Sequence, residues 1–267
     1  MKSKPVVLIK IGGSLITDKA KPFILRKKAL EVIAEEVKKA RKETGKLLVL
    51  GHGGGSFPHV PAKKYKTHLG VLGKKSYQGI AEVQDAAARL NRIVVAKLLE
   101  KDLPAFSINP SSCYLMEDDR LKACFFEVIK KLLAFEMLPV LYGDVLLDTK
   151  RGCMIISTER ALGYLGEYLL KQGFRVEKVI HCGQTNGVYD EDGKTIELIN
   201  SANFERYKKA LGGSGGVDVT GGMIHKVEES LKLAKKGIPG LIIDGIEHGT
   251  LSKAVKGERI LGTRVEK

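Results

Sequence analysis

Two lysines stand where solubility alone does not explain a lysine. Lys10 interrupts VVLIKI, an apolar, mostly β-branched run that predicts a strand buried on both faces. An unpaired buried ammonium is costly, so Lys10 needs an anionic partner. That partner is either a carboxylate or, as preferred here, a phosphate at the adjacent Gly12–Gly13 turn. Lys226 follows DVTGGM at the start of a helix whose apolar face is Ile224, Val227, Leu231 and Ala234. A glycine loop, a helix N-terminus and a cation can together hold one phosphate. Glycine-rich stretches recur at Gly12–Gly13–Ser14, at Gly53–Gly54–Gly55–Ser56 and from Gly212 to Gly222. At least two follow predicted strands, which is where open α/β sheets bind ligands. Glycine lets the backbone approach an oxyanion closely. Three such loops point to a ligand with several phosphates, or to two phosphorylated ligands meeting.

Other chemistries find little support. No loop reads GxxxxGK[ST], none reads GxGxxG in a βαβ context, and Ser56 in GGGSF is not a GxSxG elbow. Cys113, Cys124, Cys153 and Cys182 form no CxxC pair, which fits reduced thiols rather than a structural zinc site. His52, His68, His181, His225 and His248 do not cluster with Asp, Glu or Cys at ligand spacing, and read as solvated or core-satisfied side chains. No metal-ligating residue is assigned. Phe57, Tyr65 and Tyr77 read as ordinary packing.

The elements that must position these residues alternate strand and helix. Strands are expected at Val6–Ile11, Leu47–Leu50, Ala105–Ile108, Val140–Tyr142, Val176–His181 and Gly240–Asp244. Helices are expected at Lys27–Lys42, Gly79–Glu100, Phe125–Phe135, Glu159–Gln172 and Met223–Lys236, with a short helix and strand at the C-terminus. A hairpin is expected within Val145–Ser157, and a second in the turn-rich stretch 183–222, around Glu191–Gly193. The pattern predicts an α/β chain with a mainly parallel sheet and helices on both faces. No linker or repeat divides residues 1–267, read here as one domain, with lobes at about 1–175 and 176–267.

With 43% apolar residues in 267, the chain can bury a core without staples, which excludes a disordered or cysteine-stapled protein. Forty-five Lys and Arg against 31 Asp and Glu leave a net charge of +14, which favours anionic partners. The basic residues are spread over helical faces, as at Lys38, Lys39 and Arg41, so nucleic acid is not expected as a partner. No apolar run approaches a membrane span, and Lys10 breaks the N-terminal one. A cytoplasmic location with no membrane association is expected.

The segments IKIGGSLITDK, GHGGGSF-H, QDAAARLNRIVVAKL, SINPSS, PVLYGD, DVTGGM-HK and GERILGT occur in that order over nearly the whole chain. This ordered set resembles the amino acid kinase superfamily and, within it, the isopentenyl phosphate kinases. The resemblance implies a three-layer α/β/α sandwich with an open central sheet, usually a homodimer. It also implies MgATP in the C-terminal half, isopentenyl phosphate or dimethylallyl phosphate in the N-terminal half, and in-line phosphoryl transfer between them. Lys10 would bridge the two sets of phosphates, and Gly12, Gly13 and Ser14 would wrap the β- and γ-phosphates. Lys19 and Lys226 would stabilise the transferring group, with Thr220, Gly222 and Lys226 holding ATP. Gly54 and Gly55 would donate N–H groups near the acceptor phosphate, Gly55 also serving the nucleotide. His59 would hydrogen bond to that phosphate, with Gly143, Asp144 and Ser157 on the acceptor side. Glu159 and Gly183 belong to the nucleotide side.

The chain departs from the family pattern at three places. Pro58 replaces a glycine, and Gly183–Gln184–Thr185–Asn186 loses two carboxylates. Ser157–Thr158–Glu159 replaces Ser-Gly-Asp, whose Asp the resemblance implies to orient the catalytic lysines, and Glu159 keeps that charge on a longer arm. An isoprenoid tail would need an apolar floor, expected from Val83, Ala86, Ala87 and Leu90. The alternatives are a sister kinase for another phosphate or phosphonate acceptor such as fosfomycin, and a nucleotide-binding regulator without catalysis.

Overall fold

The computed structural model of the chain describes residues 4–18, 20–213 and 222–267. The first half runs β1 (Val6–Ile11), α1 (Gly13–Ile16), α2 (Lys27–Thr44), β2 (Leu47–His52), α3 (Ser56–Tyr65), α4 (Lys75–Glu100), β3 (Ala105–Ser107) and α5 (Pro110–Cys113). It continues through β4 (Tyr114–Glu117), β5 (Arg120–Cys124), α6 (Glu127–Ala134), β6 (Leu138–Tyr142), β7 (Asp144–Asp148), β8 (Gly152–Ile156) and α7 (Thr158–Lys171). The last part comprises β9 (Val176–Gly183), β10 (Leu198–Ile199), α8 (Phe204–Gly213), α9 (Gly222–Ala234), β11 (Gly240–Asp244), α10 (Thr250–Lys256) and β12 (Thr263–Val265).

Among the described residues, one sheet has the order β10-β12-β11-β9-β1-β2-β6-β3, and a second has the order β5-β4-β7-β8. The larger sheet is parallel except for the β11–β12 pair. Strand β1 lies in its interior with all six residues buried. Because side chains alternate across a strand, Val7, Ile9 and Ile11 enter a core built with α2, the C-terminal part of α4 and α10. Val6 and Leu8 enter the opposite core, built with α6, α7 and Leu233 of α9. Lys10 follows the even-numbered residues and so belongs to the α7–α9 face. The two cores make the three-layer sandwich that the sequence predicts.

The structure also contains elements that the sequence pattern did not predict. Helix α3 follows the second glycine loop, with Pro58 in its first turn and Pro61 inside it, a composition that hides a helix. The β4–β5 hairpin turns at Asp118 and Asp119, both at positive φ, and the Asp148 carboxylate accepts hydrogen bonds from both their N–H groups. Helix α4 begins four residues before the predicted Gly79, and the predicted turn-rich stretch 183–222 contains β10 and α8. The expected hairpin within Val145–Ser157 is the antiparallel β7–β8 pair.

Candidate active site

The glycine turns sit at the C-terminal ends of β1, β2, β6 and β9, side by side across the sheet. The first two are stacked backbone on backbone: a Cβ on Gly13 would lie 2.4 Å from the Gly55 nitrogen, and Gly55 itself has φ +54°. Only glycine fits such an approach. Thr17 knits the loops together, its hydroxyl donating to the Gly13 carbonyl at 2.8 Å and accepting from the Ser56 N–H at 3.0 Å. Gly143, after β6, completes the row, with its Cβ position 3.7 Å from the Gly54 nitrogen. His52 braces the second loop from beneath. Burial pushes its imidazole down to about 4, so the ring is neutral. Nδ1–H then donates to the Gly53 carbonyl at 3.1 Å, and Nε2 accepts from the Asn91 side-chain amide at 3.1 Å.

Lys10 has the carboxylate partner that the sequence reading set second to a phosphate. Its Nζ lies 2.7 Å from Glu159 Oε1, both side chains less than a tenth exposed. Burial acts to raise Glu159, but the Lys10 ammonium, by charge and hydrogen bond, holds the carboxyl down at about 2. A carboxylate is needed here because the strand gives the ammonium no water. Glu159 stands in the first turn of α7, where a negative charge also suits the helix dipole. Ser157 caps that helix, its hydroxyl accepting from the Arg160 N–H at 3.3 Å. Ser157 Oγ also lies 3.2 Å from His225 Nε2 on α9.

On the other side of β1, the Lys226 Nζ approaches the end of β9, 3.9 Å from the Cβ position of Gly183. Lys10 and Lys226 therefore reach neighbouring strand ends from the α7–α9 face. Gln184 donates its side-chain amide to the Ser14 carbonyl at 3.1 Å, linking the turns after β9 and β1. A carboxylate at that position could not make this bond, which gives the departure at Gln184 a physical role. Neither this link nor the His225–Ser157 contact was legible from sequence spacing.

Asp144 is buried at the start of β7 and accepts from the Val145 N–H at 2.8 Å and the Ser111 N–H at 3.1 Å. Burial outweighs these bonds and lifts its carboxyl to about 6. His59 lies one turn into α3 with an exposed side chain, and Gly222 is exposed at the start of α9. Lys19 and Thr220 lie outside the described residues. The expected apolar floor is corrected in part. Val83 joins Val145 and Cys153 in a small buried cluster with Ala62, Val71 and Ile80 against it, whereas Leu90 belongs to the central core. Ala86 instead borders a separate cavity of about 300 Å³ beside Phe23 and Pro61. Phe57 packs edge-on against Phe23, Tyr65 donates its hydroxyl to Glu82, and Tyr77 is exposed.

Among the described residues, no three His, Cys, Asp or Glu side chains converge as a metal cage, and no helix is long and apolar enough to cross a membrane. The arrangement as a whole can gather phosphates. Glycine turns and two ammonium groups meet at the C-terminal ends of neighbouring strands.

Comparison with known proteins agrees with this fold. The model of the amino acid kinase family matches residues 5–244. The chain is 34% identical to isopentenyl phosphate kinase of Methanocaldococcus jannaschii, over 98% of each chain. It is 32% identical to that of Methanothermobacter thermautotrophicus, over 97% of this chain and 98% of the relative. A crystal structure of isopentenyl phosphate kinase superposes with a TM-score of 0.81 at 28% identity, over 97% of this chain and 99% of the other. The chain belongs to the amino acid kinase family and, within it, to the isopentenyl phosphate kinases.

Proposed function

We propose that this chain transfers the γ-phosphoryl group of ATP to the phosphate of isopentenyl phosphate, giving isopentenyl diphosphate and ADP, and that it accepts dimethylallyl phosphate as well. The observation that carries this reading is the approach of two ammonium groups, far apart in the chain, to adjacent strand ends beside stacked glycine turns. An acceptor phosphate oxygen would attack the γ-phosphorus, and the bond to the β–γ bridging oxygen would break, with ADP leaving. The acceptor is already anionic, so no strong general base is required. The site must instead hold two anions in line and neutralise the charge that crowds between them.

Lys10 and Lys226 suit that task, with Lys19 and Thr220 proposed beside them on the resemblance alone. The turns at Gly12–Ser14 and Gly54–Gly55 would supply N–H groups to the phosphates, and His59, exposed on α3, would reach the acceptor phosphate. Glu159 holds Lys10 in place and so acts on the nucleotide side through it. Mg²⁺ bound with the nucleotide supplies further neutralisation, and the phosphates themselves would be its ligands. A homodimer in the cytoplasm belongs to the same reading, its assembly measurable by light scattering.

ADP release with MgATP, assayed on isopentenyl phosphate, dimethylallyl phosphate and fosfomycin, tests the proposal. Turnover is expected on the first two and little on the third. Preference for fosfomycin would move the chain to a sister activity. Tight ATP binding with no ADP from any acceptor would overturn catalysis altogether.

A further inference from the structure

One polar pair, His181 and Ser230, lies beneath the site. Gly51, Lys10, His181 and Ile242 stand at one register across β2, β1, β9 and β11. The His181 ring, 2% exposed, lies on the α7–α9 face and meets Ser230 of α9, itself fully buried, with Nε2 and Oγ 2.8 Å apart. Its Nδ1 is buried with no hydrogen-bond partner among the described residues. A bare acceptor is cheaper to bury than an orphaned N–H, so the proton belongs on Nε2, which donates to Ser230 Oγ. An imidazole and a hydroxyl contribute less to a core than apolar groups of the same size. What they add is direction. Met223, Val227 and Leu231 of α9 join Ile242 in an apolar cluster that tolerates sliding, which leaves the height of the helix to its polar ties, this one and His225–Ser157.

The spacing gives that direction a consequence. Ser230 and Lys226 lie four apart on one face of α9, about 6 Å along the helix. His181 and Gly183 lie two apart on one face of β9, about 6.6 Å along the strand. The helix therefore meets the strand at two matched points, the Ser230–His181 bond and the Lys226 Nζ, 3.9 Å from where a Cβ on Gly183 would lie. We propose that the His181–Ser230 hydrogen bond fixes the height of α9 on β9, and thereby sets Lys226 beside Lys10 at the strand ends. Both are positioning residues for phosphoryl transfer, and the inference rests on the kinase reading above. The surroundings suit a neutral ring. Burial pushes the imidazole down to about 3, opposed by Glu159, with Lys10 and Lys226 adding to the fall. A third positive charge beside two ammonium groups would repel them, whereas a neutral imidazole keeps the bond.

The test is a set of variants read in turnover, KM and thermal midpoint. Ser230→Ala and His181→Phe are expected to lower kcat about ten- to a hundredfold with the acceptor KM unchanged. His181→Gln, which keeps a donor, is expected to restore part of the loss. Placed on Lys226→Met, Ser230→Ala is expected to cost nothing further, because both changes act through one ammonium. Full kcat in Ser230→Ala would overturn the inference. So would the same fold-loss with and without Lys226, since that marks a structural role only. If Lys226→Met itself keeps full turnover, the assignment of that lysine is what fails, and the positioning role falls with it.

Discussion

Lys10 stands in the interior of the sheet, on a strand sealed on both faces, with its ammonium paired to a carboxylate as buried as itself. Lys226 rides half-buried on a helix that is fastened to its neighbours by side-chain bonds at Ser157–His225 and His181–Ser230. The same charge is delivered to neighbouring strand ends by two different supports. One is preset by backbone ladders and cannot move without breaking the sheet. The other depends on where a helix sits. A reaction that must first admit and then grip a polyphosphate has use for both kinds.

The comparison breaks most visibly at the lysines themselves. Lys10→Met and Lys226→Met should each lower turnover by on the order of 10²–10³, by analogy with the loss of one oxyanion donor. Their stabilities should part. Removing Lys10 leaves Glu159 charged and buried without its partner, at a cost of about 3–5 kcal/mol. Removing Lys226, half-buried near the start of its helix, should cost the ordinary amount for a point substitution, about 1 kcal/mol. Urea unfolding of both variants alongside activity checks this, and equal destabilisation would erase the distinction between a preset and an adjustable ammonium.

The Lys10 side can be sharpened by pH. Glu159 falls from an ordinary 4.5 to about 2 in the folded chain, so its contribution is fully present above about pH 4.5 and is lost as pH falls towards 2. The sign follows because the unfolded carboxyl binds its proton first in that window. The shift corresponds to about 3 kcal/mol. Unfolding of the wild type and Glu159→Gln at pH 7 and pH 3 should show a gap that narrows in acid. A constant gap would mean that the pair is not what holds Lys10.

Much of this was legible in the sequence because strand and glycine chemistry are local. Val6–Ile11 announced a doubly buried strand with one lysine out of place, and the glycine turns marked strand ends. At Glu159 the resemblance implied a carboxylate that orients the catalytic lysines, without saying which lysine it meets. Its pairing with Lys10 depends on α7 folding back over β1, which no spacing encodes. Helix α3 was hidden by Pro58 and Pro61, and the β4–β5 hairpin by a turn made of two aspartates rather than glycine. His181 and Ser230 read as a core histidine and an unremarked helical serine, since their meeting is set by the register of β9 against α9.

The smallest effect belongs to the link between the turns after β1 and β9. Gln184 donates to the Ser14 carbonyl, tying the turn beside Lys226 to the turn beside Lys10. Gln184→Glu keeps the size, removes the donor and places a carboxylate against a carbonyl, in a site meant for phosphates. The lost bond is worth about 1 kcal/mol, with the added charge acting in the same direction. A several-fold rise in the KM for ATP is expected, with the acceptor KM held, because the change touches only the nucleotide side. Gln184→Met separates the two contributions, since it removes the donor without adding charge. If both variants bind ATP as the parent does, the two supports act independently and the bridge between them carries no share of nucleotide binding.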